Sequence, residues 1–172
     1  MLLEAGPRDT SWRIHVPAAL RPLLNDPAVN WNYKTEPVES TAGRQVSLPR
    51  GKVLGGSSSI NGMIWIRGNP LDYERWAREP GLEDWDFAGC LPYFRRLENR
   101  LAGGDAYHGD SGPQVLTTPE CDSPLFDAFF EAVQQAGYPR VDDVNGFQQE
   151  GFSGFDRTTY KSRRWSAARG RR

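Results

Sequence analysis

Between Gly51 and Glu74 the sequence reads GKVLGGSSSINGMIWIRGNPLDYE, and its polar centre concentrates groups able to hold a ligand. Gly55 and Gly56 carry no side chain, so a ligand can rest directly on their backbone and the chain can take positive φ there. Ser57, Ser58 and Ser59 add hydroxyl donors, and Asn61 adds an amide with two donors and an acceptor. A helix beginning within the serine run would also aim its free amide groups at a phosphate. Val53-Leu54 before the loop and Met63-Ile64-Trp65-Ile66 after it are apolar anchors that leave the polar tip open. A cofactor with a pyrophosphate and a flat ring suits such a loop. Composition alone favours a plainer reading, a Ser/Gly-rich surface loop.

Other chemistry-bearing residues are few. The two cysteines, Cys90 and Cys121, have no close spacing and read as reduced packing thiols. The two histidines, His15 and His108, have no partner at metal-ligand spacing, so no metal site is expected. No run approaches the length of a transmembrane helix, and MLLEAGPRD lacks the basic and apolar regions of a signal peptide. The expected address is cytoplasmic.

The elements that must position the loop follow from the rest of the 172 residues, which are long enough for one domain over 1–172. Apolar residues make up 38%, ordinary for a globular chain once the 18 glycines are added, and the aromatic content argues against disorder. Net charge is −1, unevenly spread: KSRRWSAARGRR at 161–172 holds six bases and no acid, leaving −7 on the body. The plain reading of that tail is a solvated end, since the acidic body would repel phosphate; nucleic acid is not an expected partner.

Leu2–Ala5 has the form of a short buried strand ending in a glycine turn. Four prolines between residues 7 and 30 leave room for one short turn around Ala18–Leu24. Residues 31–38 and 44–48, around Ser40-Thr41-Ala42-Gly43, predict a hairpin leading into the glycine-serine stretch. Asn69-Pro70 caps a helix over Leu71–Arg78. Pro92 interrupts Trp85–Arg100, which predicts one turn before the proline and a helix after it. Ser123-Pro124 opens the clearest helix, with Leu125, Phe126, Phe129, Val133 and Ala136 as a structural stripe and Gly137 as its stop. Phe155–Tyr160 is the best late strand.

With these elements placed, the central stretch resembles the first signature of the glucose-methanol-choline oxidoreductases, flavoenzymes that oxidise alcohols with FAD. Gly51, Lys52, Leu54, the Gly55-Gly56-Ser57-Ser58 run, Ile60, Asn61, Trp65, Gly68 and Glu74 fall where that pattern wants them. The segments EPGLEDWDFAGCLPYFRRLENR, AYHGDSGPQVLTT, PLFDAFFEAVQQAGYPR and DDVNGFQQEGF resemble the choline-dehydrogenase branch, so the likeness runs over nearly the whole chain.

The resemblance implies an α/β, Rossmann-like FAD-binding domain with helical and hairpin additions, incomplete because the first strand and its Gly-rich fingerprint precede Leu2 in the family. It implies that Glu4, closing the second strand, bonds the adenosine ribose. It further implies that Gly55, Gly56, Ser57, Ser58, Asn61, Gly62, Met63 and Ile64 contact FAD. Ile60 stands where some relatives carry a flavin-linking histidine, so the FAD is expected to be noncovalent. The substrate implied is a small-molecule alcohol. Neither His15 nor His108 matches the family's base, so no catalytic residue is assigned. The chain is expected to be an N-terminal fragment, inactive alone, with an unpaired strand edge inviting self-association. A non-catalytic flavin- or nucleotide-binding remnant is the alternative, and behind it an anionic-surface or nucleic-acid binder acting through the basic C-terminal tail.

Overall fold

The computed structural model describes Met1 and residues 3–170. The chain forms two compact units, Met1–Met63 with Thr159–Arg172, and Ile64–Thr158. Among the described residues helix and strand are mixed, and each of three sheets has two strands.

In the first unit the prolines keep helices to single turns. Trp12–His15 and Leu20–Leu23 are joined by the 3-10 turn Pro17–Ala19, close to the turn expected at 18–24. Pro17 and Pro22 occupy first-turn positions, where a missing N–H breaks no intrahelical bond. Each turn buries one aliphatic side chain, and Ile14 and Leu23 join Val29, Val53 and Ile60 in a small core. The expected hairpin forms as Tyr33–Lys34 antiparallel to Ser47–Leu48, with Tyr33 opposite Leu48. Buried Asn30 braces its open end: Oδ1 accepts from the N–H groups of Asn32 and Arg50, and Nδ2 donates to the Leu24 carbonyl at 2.7 Å.

The strand expected over Leu2–Ala5 is not formed at residues 3–5; Leu2 lies outside the described residues. No described strand pairs with this segment, and a ladder needs a partner. Instead Glu4 Oε1 turns back to accept from the Gly6 N–H at 2.8 Å, and Leu3 is exposed.

In the second unit Asn69 caps the helix Pro70–Trp76 by accepting from the Leu71 N–H. The break expected at Pro92 does not occur: Phe87–Leu97 is one helix with the proline inside it. Pro92 removes a single N–H, and the start of the helix is held from outside. Asp86 Oδ1 accepts from the Gly89 N–H at 2.6 Å, and Glu74 accepts from that of Phe87. The helix runs straight into Glu98–Arg100, which pairs in parallel with Gln114–Leu116. The helix Pro124–Gln135 starts at Ser123 as expected, but its buried line is Phe130 and Val133. Leu125, Phe126 and Phe129 are exposed, so most of the predicted stripe is not core. The late strand narrows to Thr159–Tyr160, paired with Arg163–Arg164 in the first unit.

Candidate functional site

The glycine-serine stretch becomes a tight loop around the 3-10 turn Gly56–Ser59. Gly55 at φ 92° and Gly56 at φ 56° occupy the left-handed region that a side chain would disfavour. The three serine hydroxyls face into the loop. Ser57 Oγ accepts from the Gly51 N–H, Ser58 Oγ donates to the Gly55 carbonyl at 2.6 Å, and Ser59 Oγ donates to that of Leu54. Ser58 Oγ also accepts from the Ala167 N–H. The hydroxyls therefore shape the loop, and its outer surface is largely backbone.

That outer surface has open positions. A Cβ placed on Gly56 or on Gly62 would meet no atom within 4 Å, whereas one on Gly55 would lie 2.5 Å from Ser59 Oγ. Asn61 and Gly62 are exposed, and Met63 is buried at φ 62°. Asn61 Oδ1 is engaged internally, accepting from the Met63 N–H at 3.0 Å. Glu4 lies in the same unit, with its carboxylate on the Gly6 turn. Ile64 opens the second unit, bridging to Arg157.

Beneath the loop lies Arg164, a residue the charge pattern had placed in a solvated tail. It is 1% exposed. Its Nε donates to the Ile14 carbonyl at 2.9 Å, and its Nη1 donates to the carbonyls of Ser58 and Asn61 and to Asn61 Oδ1. Nη2 is buried without a hydrogen-bond partner among the described residues. Burial lowers its pKa to about 10, which leaves it protonated at neutral pH.

The second unit holds a buried polar cluster. Glu98, at the strand start after the Pro92 helix, accepts from Trp65 Nε1 at 2.8 Å and from Arg67 Nη2 at 2.5 Å. Its Oε2 lies 2.9 Å from His108 Nδ1, and His108 Nε2 lies 2.6 Å from Asp143 Oδ2. Burial works against a charged imidazole, but the hydrogen bonds to Asp143 and Glu98 outweigh it and raise His108 to about 9. Burial likewise works against both carboxylates. Hydrogen bonds from His108, with Trp65 and Arg67 on Glu98 and the Asn145 N–H on Asp143, hold them below their usual range. Two cations facing two anions make a neutral brace. His108 is therefore held at both ring nitrogens, with neither free to take a proton from an outside group.

The profile of the family described as GMC oxidoreductase matches residues 33–171. This chain belongs to that family. Among curated GMC relatives, the oxygen-dependent choline dehydrogenase of Pseudomonas syringae pv. tomato is 54% identical over 99% of this chain. The chain spans 31% of the length of that relative. Among solved structures, pyridoxine 4-oxidase from Mesorbium loti superposes with a TM-score of 0.89 at 35% identity, over 97% of this chain and 33% of that one. An FAD-dependent oxidoreductase from Chaetomium thermophilum superposes at 0.82 with 28% identity, over 97% and 30%. No described helix of this GMC oxidoreductase chain is long and apolar enough to cross a membrane.

Sequence reasoning missed Arg164 and the Glu98 cluster for different reasons. Arg164 stood among six basic residues whose composition suggests solvent, and only its long-range carbonyl partners distinguish it. The cluster joins residues 10 to 35 positions apart, with no local motif to mark it.

Proposed function

We propose that this chain is the FAD-holding part of an oxidoreductase that oxidises the alcohol group of a small, choline-like substrate. The observation that carries the reading is the loop Gly55–Met63, whose outer face leaves the Cβ positions of Gly56 and Gly62 open, within the span matched to the family. A flat, phosphate-bearing cofactor fits a backbone surface of that kind, where added side chains would fill the space. FAD would be held by backbone at Gly55, Gly56, Ser57, Ser58, Gly62 and Met63 and by the amide nitrogen of Asn61, with Glu4 toward the ribose. Ile60, a core residue 1% exposed, offers no nucleophile for a covalent link, so FAD would be bound noncovalently. The names of the relatives support the substrate class: one is a choline dehydrogenase and another a pyridoxine oxidase.

FAD supplies the hydride acceptor that alcohol oxidation needs. This chain's residues would bind and orient it. The proton of the alcohol needs a base, and His108, held at both ring nitrogens, is not placed to serve. A titration of the purified chain with FAD, read by quenching of flavin fluorescence, tests the reading. Saturable binding that survives gel filtration is expected; absence of binding to the folded chain overturns it.

A further inference from the structure

We propose that Arg164 is the positioning residue of the cofactor loop: by holding the Asn61 carbonyl inward, it turns the Gly62 N–H outward as a donor to an acceptor atom of the cofactor. The proposal rests on the FAD-binding reading above. Across a trans peptide bond the carbonyl and the following N–H point in opposite directions, and no cis bond occurs among the described residues. The Asn61 carbonyl is fixed on buried Nη1 at 2.7 Å, which aims the Gly62 N–H at the opposite side. The surroundings of Gly62 leave room for a ligand, since the residue is exposed and a Cβ placed on it would meet nothing within 4 Å. The next amide is not available, because the Met63 N–H already donates to Asn61 Oδ1, itself held by Arg164 at 2.8 Å.

The character of the interaction fits a ligand-directed role. Among the described residues, every acceptor that Arg164 meets is a neutral carbonyl or amide oxygen. A buried cation is an expensive brace when neutral side chains could tie the same turn. Its charge polarises the Asn61–Gly62 peptide and strengthens the outward N–H as a donor. The partner it suits is an electron-rich acceptor, a carbonyl oxygen or an anionic atom of the cofactor.

The test combines the amide and the arginine. In uniformly labelled wild-type chain, the Gly62 amide is expected to exchange rapidly without FAD and to become protected when FAD is added. Arg164→Met is expected to weaken FAD binding about tenfold or more, equivalent to about 1.4 kcal/mol. Arg164→Lys, which keeps the charge and part of the bonding, is expected to recover part of that loss. If wild type binds FAD and the Gly62 amide stays unprotected, the inference is overturned. It is also overturned if a folded Arg164→Met chain binds FAD as wild type does. If that variant does not fold, the wild-type Gly62 amide decides the matter. If wild type binds no FAD, the proposed function fails first and takes this inference with it.

Discussion

His108 Nε2 lies 2.6 Å from Asp143 Oδ2, an ion pair in which the imidazole is fully buried and the carboxylate partly so. The pair makes stability depend on pH in a defined direction. His108 titrates at about 9 in the folded chain against 6.5 for an unperturbed histidine. Its contribution is complete below pH 6.5 and is lost as pH rises through about 9. A shift of that size corresponds to about 3 kcal/mol. Glu98 and Asp143 are shifted the other way, so their contributions are present above the ordinary carboxylate range and are lost in acid. Urea midpoints should therefore peak between about pH 5 and 6.5 and fall toward pH 9. His108→Gln should flatten the alkaline fall; an unchanged slope would contradict the assignment.

Glycines of the loop should separate into two kinds. Gly62→Ala meets open space, so it should change stability by no more than about 0.5 kcal/mol while weakening FAD binding. Gly55→Ala adds a methyl at φ 92° and against Ser59 Oγ, and should cost about 1–3 kcal/mol of stability. Denaturant melts of both variants beside FAD titrations check the contrast. Equal loss of stability in the two would remove the distinction.

Asn61→Leu keeps similar bulk but deletes an acceptor shared by the Met63 N–H and the Arg164 guanidinium. Removing that acceptor should cost about 1–3 kcal/mol, and FAD retained through gel filtration should fall. Wild-type flavin content in the eluted variant would show Asn61 to be a bystander.

Arg67→Met should be among the most damaging changes in the second unit. It removes one cation from Glu98, whose side chain is fully buried, and breaking a buried pair in this way typically costs about 3–5 kcal/mol. The companion change Trp65→Phe removes a single donor and should cost less, about 1.5–3 kcal/mol. Thermal melts of the two variants at pH 6 would order them, and the reverse order would argue against the charge account.

Local chemistry made the helix starts legible: Asn69-Pro70 and Ser123-Pro124 cap where the sequence places them, and the hairpin turns at 39–43. Family resemblance, rather than periodicity, identified the loop. The failures are tertiary. Pro92 stays within its helix because Asp86 and Glu74 hold the first turn, a remedy that no single-proline rule contains. Phe129 reads as core by spacing but is exposed, because the spacing gives a face and not what covers it. Leu2–Ala5 has strand composition, but pairing is a property of two segments, and no described strand partners residues 3–5.

The hold of Arg164 on residues 150, 106 and 103 positions earlier in the chain carries a consequence for biosynthesis. The loop leaves the ribosome roughly 5 to 20 s before the side chain that sets it, at ordinary elongation rates of about 5–20 residues per second. Until then the Ser58 and Asn61 carbonyls lack their guanidinium partner. The nascent loop therefore passes through an interval in which it is made but not yet shaped, and the proposed cofactor seat is among the last features of the first unit to set.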